Sequence, residues 1–423
     1  MTRMKDSGNP WVREIPSDWF EKKLRYLVKL RGEKSVTTDY KKYVGLENIM
    51  SQTGQYVQTG IEVDLTENLT FEVGDILFGK LRPYLRKYWR AEFSGTASSE
   101  FVIIKGSSLN LNFLFWAIQS DSFINDVDSS TYGSKMPRAS WEYMKNIKLP
   151  FPKSIEEQAK IADFLDKKVA QLDKVKSLLE EQIKTLEDYR QSLIYETVTK
   201  GLDKTVHLKD SGVDWIGQIP EGWGVKPIKY LVSTPVTDGP HETPTLYDEG
   251  IPFLSAESVK NGILDFRYKR GYISETAHKI FSRKVSPQKN DIFIVKSGAT
   301  TGNVGIVNTD EIFDIWSPLA LVRTRSDLAN QKFIYYFMLS DAFTKQIQNK
   351  WSFGTQQNIG MGVIEKIKLV VPPLGEQTPI ADFLDKKTEQ INQMIAIKKE
   401  QIENINKQRQ TLIYDYVTGK RRI

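Results

Sequence analysis

Ile155–Lys200 reads IEEQAKIADFLDKKVAQLDKVKSLLEEQIKTLEDYRQSLIYETVTK, and Leu374–Gly419 reads LGEQTPIADFLDKKTEQINQMIAIKKEQIENINKQRQTLIYDYVTG. The two stretches align without gaps at an offset of 219, with 21 of 46 positions identical. Repetition on this scale means one structural unit used twice. Neither stretch holds Pro or Gly between Ala162 and Thr199, or between Ala381 and Thr418. Each therefore predicts one long helix, and about 43 residues at 1.5 Å rise make a rod of ~65 Å.

In the first rod Leu165, Leu172, Leu179, Leu186 and Leu193 fall at heptad spacing, with Val175, Gln182 and Tyr189 as a second row three residues on. In the second, Leu384, Ile391, Ile405 and Leu412 repeat the row and Lys398 interrupts it. A helix with one apolar stripe needs a partner for it, and the nearest partner is the other copy. Gln182 and Gln401 occupy equivalent places near the middle of each rod, where a polar pair would fix the register of a coiled coil.

The duplication extends outward from the helices. KDSGNPWVREIPSDWFEKKLRYLV (Lys5–Val28) matches KDSGVDWIGQIPEGWGVKPIKYLV (Lys209–Val232) at an offset of 204. Between these anchors the match weakens. Gly74–Lys80 lines up with Asn290–Lys296, Phe113–Phe123 with Phe333–Phe343, and Asn146–Leu149 with Lys366–Leu369. Short apolar runs at Asp75–Phe78, Phe101–Ile104, Asp291–Val295, Ala320–Val322 and Lys368–Val371 predict strands. Asn112–Val127 and Gln331–Gln348 predict buried helices, and Pro150, Pro152, Pro372 and Pro373 close the globular parts. The expected fold class is mixed α/β with an internal pseudo-two-fold repeat. Residues 1–152 and 205–373 form two similar domains, and 153–204 and 374–423 form the two helices.

Composition excludes more than it selects. The chain of 423 residues has no cysteine, so disulfides and cysteine zinc sites are impossible. Its three histidines, His207, His241 and His278, lack metal-ligand spacing. The N-terminus lacks the apolar core of a secretory signal, and no apolar run nears the ~20 residues of a membrane span, so a soluble cytoplasmic protein is expected. A net charge of +6 is compatible with a polyanion but does not demand one.

The sequence carries no convincing catalytic motif. No nucleotide loop of the G-x-x-x-x-G-K-[ST] type occurs, and Gly298–Asn303 (GATTGN) lacks the Lys-Ser/Thr that would follow. Asn9-Pro10-Trp11 approaches a base methyltransferase loop but lacks its second proline. Asp75 with Lys80, and Asp291 with Lys296, are the repeated carboxylate–lysine candidates for a nuclease, yet such aspartates ordinarily turn a chain into a strand. An autonomous enzyme is thus disfavoured against a DNA-binding protein or a coiled-coil adaptor.

Binding has better candidates. Lys80–Arg90 reads KLRPYLRKYWR, with Lys80, Arg82, Arg86, Lys87 and Arg90 interleaved with aromatics and no acid, a composition suited to phosphates. The matching stretch of the second half, Lys296–Asn303, offers Lys296, Thr300, Thr301 and Asn303, with a basic run upstream at Lys279, Arg283, Lys284 and Lys289. A further pair of loops precedes the last strand of each half. One, Gly133–Arg138, carries Lys135 and Arg138, which suit guanine edges. The other, Phe353–Asn358, carries Gln356, Gln357 and Asn358, which suit adenine edges. Two domains with different loop chemistry should read two different short sequences.

The motifs together resemble the specificity subunits of type I restriction–modification enzymes. The resemblance rests on IADFLDKK (Ile161–Lys168 and Ile380–Lys387), RQSLIYETVTKGL (Arg190–Leu202), KDSG…WIGQIPEGW (Lys209–Trp223), GDILFGKLRPYLRK and TQQNIGMG. It implies two target recognition domains, each reading half of a split asymmetric site in double-stranded DNA. It also implies two helices packed antiparallel, whose length sets the gap between the halves and which dock two modification subunits. Those partners would carry adenine methylation with S-adenosylmethionine, and restriction subunits would add ATP- and Mg-dependent translocation and cleavage. The chain itself would hold no cofactor.

Overall fold

The computed structural model describes residues 3–9, 11–36, 42–59, 67–133, 135–350, 352–353 (backbone only) and 357–423. The chain divides into two compact units. Unit 1 is Met1–Glu181 with Lys398–Ile423, and unit 2 is Gln182–Ile397. The cut falls within both long helices, so each unit owns the opening of one and the closing turns of the other.

Unit 1 contains β1 (Phe20–Lys23), β2 (Val28–Leu30), β3 (Ile76–Gly79), β4 (Tyr88–Arg90), β5 (Phe101–Ser107), α1 (Leu111–Ala117), α2 (Asp121–Ser129) and β6 (Lys148–Phe151). Helix α3 spans Ile155–Lys200. One antiparallel sheet has the order β2-β5-β3-β4. A second four-stranded sheet uses Lys34–Val36, Glu67–Phe71, Gly95–Ala97 and Tyr43–Val44. Strand β1 pairs with β6, Leu149 opposite Lys22. Asp75 starts β3 as a turn residue: it accepts from the Glu72 amide and pairs with Arg31 Nε at 2.6 Å.

Unit 2 repeats the plan. It contains β7 (Gly224–Pro227), β8 (Thr237–Asp238), β9 (Val259–Lys260), β10 (Ile263–Leu264), β11 (Ile292–Val295), β12 (Val304–Ile306) and β13 (Leu319–Val322). Helices α4 (Gln331–Met338) and α5 (Asp341–Gln348), strand β14 (Lys368–Val371) and the long α6 (Leu374–Val417) complete it. The main sheet has the order β8-β13-β11-β12-β10-β9, and β7 pairs with β14. Asp291 repeats the role of Asp75, accepting from the Gln288 amide and pairing with Arg323 Nη2 at 2.6 Å.

The buried helices expected at 112–127 and 331–348 are each two helices. Ser120 accepts from the Phe123 amide and caps α2, while Ser340 donates its hydroxyl to Phe337 O at the matching break. Both pack on the repeated long-helix motif. Ile161, Ala162 and Leu165 enter the core of unit 1 with Phe113, Trp116 and Phe123, and Ile380, Ala381 and Leu384 enter that of unit 2 with Phe333, Tyr336 and Phe343. The motif's second aspartate fixes the contact: Asp166 accepts from Trp116 Nε1 at 2.9 Å and Asp385 from the Tyr336 hydroxyl at 2.7 Å. Gln158 and Gln377 each accept from an asparagine amide (Asn110, Asn330) and donate to a proline carbonyl (Pro152, Pro372).

The helix seam differs from the expected one. Leu165 is buried and Leu172, Leu179, Leu186 and Leu193 are half-buried, but the accompanying row lies four residues on, at Val169, Lys176, Ile183 and Arg190. Val175, Gln182 and Tyr189 are exposed. In α6 the rows are Leu384, Ile391, Lys398, Ile405 and Leu412 with Thr388, Ile395, Ile402 and Arg409, and Gln401 is exposed. The leucines thus take d positions, and neither glutamine is a buried core residue. Two arginines of the seam are paired. In unit 1 Arg409 Nε lies 3.4 Å from the Asp173 carboxylate of the antiparallel α3 segment. In unit 2 Arg190 Nη1 donates to Asn392 Oδ1 at 2.5 Å.

Candidate DNA interface

In unit 1 the two candidate segments form one surface. Leu81 and Tyr132 both bridge to Arg138. The Arg82 amide donates to Pro137 O at 2.7 Å, Arg82 Nη2 to Lys135 O at 3.2 Å, and the Ala139 amide to Lys80 O at 2.9 Å. Pro83 helps impose a tight 3₁₀ turn on Pro83–Leu85, flanked by Arg82 (φ 50°) and Arg86 (φ 55°), both left-handed. Such backbone costs about 1 kcal/mol or more per non-glycine residue and persists only where the surroundings enforce it. Here Arg86 enforces it: Nη2 pairs with Asp121 at 2.5 Å, and Nη1 donates to Gln119 O and to Gln410 Oε1 of α6. A cavity of about 410 Å³ beside it is lined by Arg86, Asp121, Asp173 and Arg409.

The cations of this surface are therefore not equivalent. Lys87 donates to Leu46 O and Ile49 O at 2.7 and 2.8 Å, and burial among these groups lowers its pKa. Arg138 forks onto Glu100 through Nε and Nη2 at 3.1 and 2.9 Å. Lys135 is exposed, as are Tyr84, Tyr132 and Met136, while Lys80 and Arg82 are half-buried.

Unit 2 brings its two segments together in the same way. Ser297 bridges to Asn358, the Gly298 amide donates to Gln357 O at 3.3 Å, and the Ile359 amide to Lys296 O at 2.7 Å. Thr301 is buried and closes the turn, its hydroxyl donating to Gly298 O. Thr300 is half-buried, and Asn303, Gln357 and Asn358 are exposed. Gln356 lies outside the described residues.

Lys296 is held by a residue that sequence reasoning missed. Asp238 is fully buried, and Lys296 and Lys284 each reach it at 2.6 Å, with His241 Nε2 at 3.1 Å. Burial opposes its charge, but the hydrogen bonds from Lys284 and Lys296 prevail and lower its pKa. Gly239 beside it is obligatory, since a Cβ there would lie 2.1 Å from Ile315 O. Lys284 sits 46 residues along the chain from Asp238, so local sequence gives no signal of the cluster. Lys289 of the same basic run pairs with Asp310.

Among the described residues no group of three or more His, Cys, Asp or Glu is placed to hold a metal, and no helix is long and apolar enough to cross a membrane. The repeated aspartate–lysine candidates do not form a carboxylate cluster, because Asp75 and Asp291 are each engaged by an arginine.

The chain is similar to known proteins over nearly its whole length. The MjaVIII specificity subunit of the type I restriction enzyme of Methanocaldococcus jannaschii is 25% identical over 435 residues, covering 97% of this chain and 94% of that protein. The MjaIX specificity subunit of the same organism is 21% identical, covering 97% and 95%. A solved chain from work on complex assembly and conformational transition of the type I R-M system shares the fold, with TM-score 0.71 at 19% identity over 96% of this chain and 99% of that one. The family model for the type I restriction modification DNA specificity domain matches twice, over 16–187 and 220–405, once on each half of the repeat. Because that model covers both halves, the chain belongs to the type I restriction modification DNA specificity family, as one of its non-catalytic DNA-recognition members.

Proposed function

We propose that each recognition domain, 1–152 and 205–373, reads one half of a split, asymmetric duplex site in the cytoplasm, and that the helices at 153–204 and 374–423 set the gap and dock two modification subunits. The observation that carries this reading is the pairing of segments within each unit. Lys80–Lys87 meets Lys135–Arg138, and Lys296–Asn303 meets Gln357–Asn358, through matching backbone bonds and with opposite side-chain chemistry. One scaffold thereby presents guanine-type donors in one unit and amide groups suited to adenine in the other.

Docking is supported by the helices' outer faces. Val175 and Leu178 are exposed on α3, and their repeat counterparts Met394 and Ile397 are exposed on α6. Apolar pairs at i,i+3 on otherwise charged helices suit helical partners. A surface present twice suits a partner present twice. S-adenosylmethionine would reside on the modification subunits, and ATP and Mg on restriction subunits that join them.

Selection from a random duplex library, with the chain co-produced with its modification subunit, tests the reading. Two different short blocks at a fixed gap are expected. Salt-sensitive binding with no enriched pattern would refute sequence reading, and absence of duplex binding would favour a protein-only adaptor.

A further inference from the structure

The internal repeat is itself a comparison of two surfaces. In Lys5–Val28 and Lys209–Val232 most identical positions have a structural task. Lys5 donates to Ser17 O and Trp19 O, and Lys209 to Glu221 O. Asp6 and Asp210 accept from the amides of Gly8 and Gly212. Ile15, Trp19 and Leu27 are buried, as are Ile219, Trp223 and Leu231. Tyr26 and Tyr230 are not packed into the core, although the Tyr26 hydroxyl accepts from its neighbour Arg25 Nη2 at 2.9 Å. They end the same 3₁₀ turn, bonded alike to the residue before the strand opposite (Leu24 amide to Ile147 O, Ile228 amide to Ile367 O, both 2.9 Å), yet they are 64% and 58% exposed. In both units a cation lies over the ring, Arg25 and Lys229, each 4.8 Å from the centroid. On the paired strands beside each turn Lys22 and Lys148 of unit 1, and Lys226 and Lys368 of unit 2, are exposed, with Lys148 also 3.4 Å from the Glu21 carboxylate.

These patches lie away from the target segments. In unit 1 Phe101 pairs with Gly79 beside Lys80, whereas Ser107 pairs with Val28 beside Tyr26. Six residues of strand separate the two ends, about 20 Å. In unit 2 Leu319 pairs with Val295 beside Lys296, whereas Thr324 bridges to Val232 and the Arg325 amide reaches Leu231 O. The target segments differ between units, but the far-end patches are alike. A solvent-facing tyrosine braced by cations contributes little to folding, whereas Tyr and Arg are enriched among residues that dominate protein interfaces.

We infer that the Tyr26 and Tyr230 patches are twin docking points for a protein partner bound in two copies, each presenting carboxylates around an apolar recess for the ring. On the function proposed above, on which this inference rests, that partner is the modification subunit.

The test is a titration of the full chain with modification subunit, read by native mass spectrometry. Arg25→Glu/Tyr26→Ser should weaken one of two sites at least tenfold, leaving one-copy complexes where the unmodified chain carries two. Lys229→Glu/Tyr230→Ser should do the same to the other site, and the joined variant should leave neither occupied. Arg25→Lys with Lys229→Arg should retain both copies, and duplex affinity of the isolated chain should stay within about twofold. Two-copy binding by the joined variant with unchanged dissociation constants would overturn the inference alone. So would lost duplex affinity with undisturbed two-copy binding, which would make the patches phosphate contacts. Failure of the unmodified chain to bind two copies would overturn the partner reading, and the inference with it.

Discussion

Asp238 illustrates how a single residue sets the character of a candidate binding surface. Its carboxylate holds Lys284 and Lys296 side by side, so Lys296 serves the architecture of the segment before it serves any ligand. Removing one partner of a buried ion pair strands the others and costs about 3 kcal/mol or more. Asp238→Asn should therefore lower the stability of unit 2 by about 3 kcal/mol, with hydrogen exchange rising first at Ile292–Lys296. The folded carboxyl titrates below its ordinary value. Its stabilisation is thus fully present above the usual carboxylate range near pH 4 and disappears as pH falls through the depressed pKa. The gap between variant and parent should close on acidification and persist at neutral pH. In unit 1 the corresponding distinction separates Arg86 from Arg82 and Lys135. Arg82→Ala should weaken binding evenly across sequences, reducing the salt slope by about one, whereas Lys135→Ala should relax discrimination within one half-site. Arg86→Ala frees a loop otherwise held to Asp121 and Gln410. It should relax discrimination in one half-site more than it reduces total affinity, as measured by selection at fixed salt.

At the scale of elements, the long helices and the strands at Ile76–Gly79, Ile292–Val295 and Lys368–Val371 were legible because their patterns are local: absence of Pro and Gly, apolar runs, Asp-initiated turns. The seam was harder to read. Lys176 and Arg190 break the row at Val169, Lys176, Ile183 and Arg190, so the row at Val175, Gln182 and Tyr189 looks the more apolar. The fold chooses the charged row because long cations cover apolar surface with their stems and find partners at their tips, as Arg409 does with Asp173. Nor was the commitment of Lys87, Arg138 and Lys296 legible, since their partners are distant in sequence. The two seam arginines should differ in consequence. Arg409 is 4% exposed, so Asp173→Ala leaves a buried guanidinium without its carboxylate, at a cost of about 3 kcal/mol. Asn392 is exposed, so Asn392→Ala should change stability by less than about 0.5 kcal/mol. Amide exchange along Lys398–Val417 and along Gln182–Thr197 separates the two outcomes.

For the molecule as a whole, duplication supplies two recognition units, and two continuous helices pass through both. On the proposed reading helix length is the ruler between half-sites. A ruler can be lengthened without disturbing its seam only in whole heptads, because other insertions rotate the d-position leucines out of register. Seven residues inserted after Leu179 in α3, with seven inserted after Ile397 in α6, would extend each rod by ~10.5 Å. That length corresponds to about three base pairs at 3.4 Å each. Selection with the lengthened chain should return the same two blocks with a gap wider by about three base pairs. An unchanged gap would mean that the recognition units, not the helices, set the spacing. Altered blocks would mean that the insertion had disturbed the cores into which Ile161, Leu165, Ile380 and Leu384 pack.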